Sequence, residues 1–359
     1  MENTIIITSP SLNENINVSG ISAVTKFIIS NNPTSHYIHF ELGKTDSQER
    51  GIAWMANIVG AYASWCKKLM RSKNIIIHFN FALEKRSILR DSPFILAARA
   101  MNKKMIIHLH GGKYLVQEPP AWIKKILKVV LTGHEPKVVL SAYEKQLIFE
   151  KFNTPDIYVL PNSVDLNEPR LFHHAYPADR PLHLLFMGRI VESKGMRYIY
   201  DACVLLKNMQ VDYKFFLAGK GEEEAKYIGL FKTLLGENFV FKGVVAGKDK
   251  IALIQASDVF LLPSISGEGL PMALLESMSF GLVPVTTNDG SMAHLVNNGV
   301  TGMLVAKASA MEIADAVARL DRDRSLFQKL GENCKQHIED HYNPENYIKE
   351  LNIIYTKTR

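Results

Sequence analysis

The sequence predicts an α/β protein made of two Rossmann-like, doubly wound domains. Three observations carry that expectation. The chain has 359 residues, more than one hydrophobic core usually spans. Short apolar, β-branched runs recur between helical patterns, and their continuous apolar character implies parallel strands covered on both faces. The series then restarts after a proline-rich stretch, and two alternating series mean two such domains.

The first series comprises Thr4–Thr8, His36–Phe40, Asn74–Phe79, Lys104–His108, Lys137–Leu140 and Asp156–Leu160. The second comprises Leu182–Gly188, Tyr213–Gly219, Asn238–Gly243, Asp258–Leu262, Leu282–Thr286 and Gly302–Val305, with helical stretches such as Gly195–Asn208 between them. Between the series lies Asn167–Pro181, with Pro169, Pro177, Pro181 and a His-His pair, which suits a hinge. The expected division is 1–167, 168–343 and a C-terminal helix within 344–359 that crosses back to the first domain in one of its possible placements. That helix follows from Tyr347, Ile348, Leu351, Ile354 and Tyr355 at helical spacing after Pro344.

Composition excludes several classes. Hydrophobic residues make up 47% and charged residues 22%, far from the signature of disorder. Cys66, Cys203 and Cys334 are scattered without metal-binding or disulfide spacing, which points to reducing cytosol. There is no apolar run of membrane-spanning length and no secretory leader pattern at the start. Net charge is +6, but residues 1–170 hold 21 Lys and Arg against 14 Asp and Glu, and the remainder 21 against 22. The basic excess belongs to the first half, so an anionic partner is expected there: nucleic acid, a lipid surface or a phosphorylated substrate. Solvated helix faces are the plain alternative.

Ligands of doubly wound sheets bind at the carboxyl ends of strands, so the loops there were read for chemistry. After the first strand of the second series comes Gly188-Arg189-Ile190-Val191-Glu192-Ser193-Lys194-Gly195, two cations beside a helix entrance, which suits a diphosphate. A later loop reads Pro263-Ser264-Ile265-Ser266-Gly267-Glu268-Gly269-Leu270-Pro271, then Met272 to Met278. Pro271 can open a helix, and Glu276 lies about five residues into it, roughly 7.5 Å along the axis. A carboxylate beside a diphosphate is repelled by it but accepts two hydrogen bonds from vicinal hydroxyls, which ribose and hexose both present. One glutamate per diol, with Arg189 and Lys194 on the phosphates, fits a nucleotide-sugar part for part.

These residues resemble those of a retaining nucleotide-sugar glycosyltransferase of family 4, a group 1 glycosyltransferase with the GT-B architecture of two facing Rossmann-like domains. The resemblance runs through Phe186-Met187-Gly188-Arg189 with Lys194-Gly195, Leu217-Ala218-Gly219-Lys220-Gly221, Leu160-Pro161-Asn162-Ser163-Val164-Asp165, and Glu268 to Glu276 followed by Gly281-Leu282-Val283-Pro284-Val285. It implies that Arg189 and Lys194 hold the donor diphosphate, Glu276 the ribose, and Glu268 the transferred sugar with Gly269 and Leu270 beside it. Backbone around Gly243 would meet the base. The first half is less similar. Its glycine turn reads Asn17-Val18-Ser19-Gly20-Ile21, with one glycine where the family shows two, and Gly20 would expose N–H groups to phosphate or acceptor. His108-Leu109-His110-Gly111-Gly112 matches the histidine signature. By alternation His108 and His110 share a face, and the resemblance assigns the active-site role to His110.

Ala121 to Leu131 follows two prolines and reads as a helix, with Ile123, Ile126, Leu127 and Val130 as one stripe and Lys124 and Lys128 away from it. Trp122, Lys124, Lys125 and Lys128 are therefore candidates for contact with an anionic membrane. Trp65 with Lys67, Lys68, Arg71 and Lys73 is a second candidate. Both also fit surface helices packed on a sheet.

The expected activity is a metal-independent transfer of a sugar from a UDP- or GDP-linked donor to a hydroxyl of a glycan or lipid-linked acceptor, in cell-surface polysaccharide, lipopolysaccharide or glycolipid synthesis. The expected partners are that donor, that acceptor and an anionic membrane surface, with no nucleic acid and no cofactor. The expected place is the cytoplasm, peripheral on the inner face of the membrane. No DxD or His/carboxylate cluster offers a metal site, so cationic side chains would neutralise the leaving group. The rivals are a sugar-nucleotide epimerase of the same architecture and a non-enzymatic α/β protein binding membrane or nucleic acid. No GxGxxG follows the first strand, which disfavours a dinucleotide oxidoreductase.

Overall fold

The computed structural model describes residues 3–13, 16–17, 19–45, 48, 51–177, 179–265 and 268–358. Of the segments read above, Val18, Ser266 and Gly267 lie outside the described residues. The chain separates into two compact units, Met1–Ser163 with Pro344–Arg359, and Val164–Asn343.

Unit 1 alternates β1 (Asn3–Ser9), α1 (Gly20–Asn31), β2 (Ser35–Glu41), α2 (Ile52–Arg71), β3 (Ile75–Phe81), α3 (Lys85–Ala100) and β4 (Lys104–Leu109). It continues through α4 (Lys113–Val116), α5 (Ala121–Leu131), β5 (Lys137–Val139), α6 (Ala142–Phe152) and β6 (Ile157–Val159). The strand order is β2-β1-β3-β4-β5-β6, every neighbouring pair parallel. Because helices cover both faces, β3 is buried along its whole length, its apolar run interrupted only by His78 and Asn80. On one face, Trp65 and Leu69 of α2, Phe94 and Ile95 of α3, and Ile123 and Leu127 of α5 pack with Ile77, Phe79 and Ile107 of the sheet.

Unit 2 holds α7 (Asn167–Leu171), β7 (Leu182–Met187), α8 (Met196–Asn208), β8 (Tyr213–Ala218), α9 (Glu224–Leu235), β9 (Phe239–Gly243), α10 (Gly247–Gln255) and β10 (Val259–Leu262). After these come α11 (Met272–Ser279), β11 (Val283–Thr287), α12 (Met292–Leu295), β12 (Met303–Val305), α13 (Ala310–Arg322) and α14 (Arg324–His341). Its parallel sheet has the order β12-β11-β10-β7-β8-β9. Strand order reverses beside β7, the kind of point at which doubly wound sheets bind ligands.

All twelve expected strands form, six in each sheet, so the α/β reading holds. The proline-rich stretch 167–181 opens as α7 and is then fastened to unit 2: Arg180 donates both guanidinium nitrogens to the buried Asp258 carboxylate, and His174 Nε2 lies 2.9 Å from Ser257 O. Helix α15 (Pro344–Thr356) belongs to unit 1 by its contacts and buries Tyr347, Leu351, Ile354 and Tyr355. Its Asn352 side chain bonds Asn32, and the Tyr355 hydroxyl lies 2.8 Å from His78 Nδ1.

Candidate active site

In unit 2 the carboxyl ends of β7, β8 and β9 meet backbone to backbone. Gly188 N donates to Ala218 O at 3.0 Å, Gly219 N to Gly243 O at 2.6 Å, and Ile190 N to Lys220 O at 3.0 Å. Gly219 has φ +132°, and a Cβ there would sit 1.8 Å from Gly188 O; one at Gly221 would sit 2.0 Å from Ile190 O. Both positions are therefore closed to side chains. Gly243 is different. Its φ is +63°, yet open space surrounds the place of its missing Cβ, so the backbone at the end of β9 is accessible to a flat ligand.

The loops after β7 and β10 are joined just as closely. Gly195, at φ +81°, would place a Cβ 2.1 Å from Pro263 O, and Ile265 N donates to Ser193 O at 3.0 Å. This contact brings Lys194 to Glu268, with Nζ and Oε1 2.5 Å apart and both side chains largely buried. Ser264 Oγ donates to the same carboxylate oxygen at 2.8 Å. The loop after β11 closes in as well: Thr287 Oγ1 donates to Ser264 O at 2.6 Å, and Gly290, at φ +53°, passes so near that a Cβ would meet Glu268 O at 2.7 Å. Three loops thus fix Glu268. Beside it Gly269 is half-buried and Leu270 buried, while Arg189 is exposed with no side-chain partner among the described residues.

Pro271 occupies the cap position of α11, and Glu276 is the fifth residue of that helix. Its carboxylate pairs with Lys250 Nζ of α10 at 2.7 Å. Lys250 was not singled out in the sequence, where it is one of three lysines between 242 and 250 with its helix separated from α11 by a strand. Each glutamate of the pair therefore has its own lysine, whereas the sequence reading had left Lys194 free for phosphate. Among the described residues, no three His, Cys, Asp or Glu side chains gather in a metal-holding arrangement.

In unit 1, His110 follows β4 at the carboxyl edge of the sheet. Gly111 and Gly112 then turn the chain back at φ +64° and +117°, and a Cβ on Gly112 would meet the Leu83 backbone at 2.8 Å. His110 Nε2 lies 2.6 Å from Asn80 Oδ1. The Asn80 amide is oriented independently, because its Nδ2 donates to Thr8 O at 2.6 Å and to Thr25 Oγ1 at 3.0 Å. Its oxygen is thus left as an acceptor, which puts the His110 proton on Nε2 and leaves Nδ1 as a lone-pair acceptor. Burial pushes the His110 pKa down to about 3, so the ring is neutral. Asn80 was missed by the sequence reading; the signal was an asparagine inside an otherwise apolar strand.

His108 takes a different place from His110. It is fully buried, its Nδ1 lies 3.0 Å from His78 Nε2, and burial holds its pKa well below the ordinary value. Gly20 begins α1 with no atom near the place of its missing Cβ and no left-handed φ, so one glycine suffices there and a side chain would also fit. Thr25 of the same helix holds Asn80, which links α1 to His110 within unit 1.

Only part of each expected membrane helix faces outward. On α5, Ile123, Leu127 and Val130 are fully buried in the core of unit 1, so the apolar stripe belongs to the fold. Trp122 and Lys125 remain exposed on the outer side with Lys128, while Lys124 Nζ is paired with Glu118 at 3.0 Å. Trp65 is likewise a core residue, fully buried with its indole N–H on Phe94 O.

Residues 172–337 match the family model for glycosyl transferases group 1. The match lies inside unit 2 and carries every loop just described there. An uncharacterized glycosyltransferase of Methanocaldococcus jannaschii is 26% identical over 280 residues, covering 74% of this chain and 71% of that protein. The amylovoran biosynthesis glycosyltransferase AmsK of Erwinia amylovora is 22% identical, covering 87% of this chain and 75% of that protein. The family model and both relatives are glycosyltransferases, the model being that of group 1. Among solved structures, sucrose-phosphate synthase from Thermosynechococcus elongatus matches 99% of both chains at TM-score 0.78 and 16% identity. HepE of Anabaena in complex with UDP-glucose matches 98% of this chain and 99% of that one at TM-score 0.74 and 15% identity. These likenesses agree with the GT-B fold expected from the sequence.

Proposed function

We propose that this protein is a retaining, family 4 glycosyltransferase that moves a sugar from a nucleoside diphosphate to a hydroxyl of a glycan or lipid-linked acceptor. The observation that carries this reading is the contact of Lys194 with Glu268 across the closely joined loops after β7 and β10, with Arg189 in the first loop and Glu276, paired with Lys250, on the helix that follows the second. Two relatives named for polysaccharide synthesis, AmsK and the colanic acid glycosyltransferase WcaL of Escherichia coli, favour a cell-surface polysaccharide as product; the match to WcaL covers 44% of that protein. HepE with UDP-glucose favours a UDP-linked donor over a GDP-linked one.

In this reading residues 1–167 receive the acceptor and 168–343 the donor. Arg189 and Lys194 neutralise the diphosphate, Glu276 accepts from the ribose hydroxyls, Glu268 with the Gly269–Leu270 backbone holds the transferred sugar, and the base lies on the backbone at Gly243. Gly20 lends N–H groups at the start of α1, and His110 takes its active-site role as a neutral acceptor through Nδ1. The bond from the anomeric carbon to the phosphate oxygen breaks and the bond to the acceptor oxygen forms on the same face. The acceptor proton passes to the departing phosphate oxygen, so no separate base is needed. Catalysis then comes from positioning and from charge placed where the leaving diphosphate develops it. With Arg189 and Lys194 in that role, no metal is required.

The test is a ligand-induced stabilisation screen against UDP-, GDP- and ADP-sugars, followed by turnover after exhaustive chelation. A stabilising donor whose sugar is transferred in EDTA supports the reading. Turnover that EDTA abolishes and Mg²⁺ restores refutes metal independence, and donor conversion without any acceptor makes the protein an epimerase.

A further inference from the structure

Helices α2, α3 and α5 form one layer over the sheet of unit 1, α2 packed on α3 and α3 on α5. Their inner faces fill the core, so their outer faces should be polar. They are not. On α2, Met55, Val59, Tyr62 and Met70 recur three, four or eight positions apart and are 64%, 70%, 37% and 68% exposed. The middle helix, α3, turns Leu89, Pro93 and Leu96 outward, and α5 adds Trp122 and Val129. Eight of the 18 large hydrophobic residues exposed among the described ones lie on these three helices. Monomeric proteins seldom leave so much apolar surface contiguous without a use.

Charge on the same layer is one-sided. The three helices carry ten Lys and Arg residues and a single carboxylate, Asp91, which is buried and engaged by Arg90. Lys67 and Arg71 border the apolar stripe of α2, Lys85 and Arg86 open α3, and Lys125 lies beside Trp122 and Val129 on α5; all five are exposed. Lys85 Nζ stands 5.6 Å over the Trp122 ring, joining the starts of α3 and α5. Apolar side chains ringed by cations, with no exposed acid on the three helices, match the headgroup and upper acyl layers of an anionic bilayer.

We propose that the outer face of the α2–α3–α5 layer is a docking surface for an anionic phospholipid bilayer. Met55, Val59, Met70, Leu96 and Trp122 enter the interface, and Lys67, Arg71 and Lys125 meet the lipid phosphates. The surface keeps Trp122, Lys125, Lys67 and Arg71 from the contacts expected from the sequence, replaces the buried α5 stripe and Trp65 with the outward residues of α2 and α3, and holds whether or not the glycosyl-transfer reading does.

The experiment is co-sedimentation of the full chain with phosphatidylcholine vesicles, with and without phosphatidylglycerol, at low and high salt. The wild type should bind the anionic vesicles and be released by salt. Lys67→Gln, Arg71→Gln and Lys125→Gln should each weaken partitioning about fivefold and together about a hundredfold. Val59→Ser with Leu96→Ser should also reduce it, whereas Lys124→Gln, whose ammonium already faces Glu118, should change it little. All these side chains except Lys124's lie outside the core and its ion pairs, so unchanged thermal unfolding serves as the control for fold. Equal binding to neutral and anionic vesicles, or a triple variant within twofold of wild type, would overturn the proposal. So would a wild-type dimer in sedimentation velocity that the same substitutions dissociate, because the face would then join two copies of the chain.

Discussion

Exchanging each glutamate of the candidate site for glutamine gives opposite expected effects on nucleotide affinity. Glu276 is assigned to the ribose, so Glu276→Gln should weaken free nucleoside diphosphate and intact donor alike by about 1 to 3 kcal/mol, the range for a lost charged hydrogen bond. That corresponds to about five- to 150-fold in Kd. Glu268 holds Lys194 at 2.5 Å, so a diphosphate bound by Lys194 must draw the ammonium away from that carboxylate. The two side chains keep 16% and 14% of their exposure, and an ion pair reached by solvent contributes about 1 kcal/mol. Glu268→Gln removes this competitor and should leave nucleoside diphosphate affinity unchanged or up to about fivefold tighter. Turnover should nevertheless fall about five- to 150-fold, because the lost contact is one made to the group in flight. Titration calorimetry with the nucleoside diphosphate, run beside steady-state rates, separates these outcomes. Equal weakening of nucleotide in both variants would refute the division of labour, and unchanged affinity and rate in both would make the glutamates ordinary surface residues.

Burial pushes His78 to about 3 and His108 well below its ordinary value, so protonating either opposes the fold. Their contribution is complete above the unfolded pKa of about 6.5 and is lost as pH falls, for His78 toward about 3 at about 1.4 kcal/mol per unit. The unfolding free energy from urea titration should therefore drop between pH 7 and pH 5, by about 2 kcal/mol from His78 with His108 adding in the same direction, and a flat profile would contradict their buried neutral state. Gly195→Ala must hold an alanine at φ +81° for about 1 to 2 kcal/mol and also push Pro263 O out of the way. It should lower the melting temperature and weaken donor binding together, and a normal donor affinity would show that the Lys194–Glu268 juxtaposition does not depend on that contact. Asn80→Ala should lower turnover while nucleotide affinity stays unchanged, with the His110 tautomer no longer single by nitrogen NMR; one unchanged tautomer would show that Asn80 does not set it.

The sheets were legible because burial on both faces writes itself as apolar runs such as Ile5 to Ile7 and Val259 to Leu262, and the glycine positions were legible because backbone contact between strand ends excludes Cβ atoms. Lys194 and Glu268 were read as neighbours of one ligand for the same reason: both follow strands whose carboxyl ends must be adjacent in a doubly wound sheet. Partnerships between helices were not legible. Lys250 meets Glu276 only after α10, β10 and the following loop have folded, and no local spacing records that meeting. The amphipathic period of α5 was visible, but period alone cannot say whether a stripe faces a core or a bilayer. Packing of Ile123 and Leu127 against the sheet decides it. The exposed apolar face of α3 escaped for a related reason, because a helix apolar on both sides shows little periodicity to read.

Under the proposed assignment, the two ion pairs bear on how this site would tolerate carboxylates next to a diphosphate. An isolated glutamate beside a diphosphate costs binding through repulsion at short range. Lys250 on Glu276 makes that position nearly neutral, so it can accept ribose hydroxyls without adding to the repulsion. Glu268 is neutralised by Lys194 only until the donor arrives, when the phosphate competes for that lysine and the sugar hydroxyls take over as hydrogen-bond donors to the released carboxylate. Arg189, exposed with no side-chain partner among the described residues, is the cation available without such an exchange. Donor binding then trades one ion pair for another at nearly constant local charge, and the sugar must be present for the trade to be complete. A nucleoside diphosphate lacking its sugar satisfies Lys194 but leaves Glu268 with only Ser264 to bond it, which would favour the intact donor over the spent product.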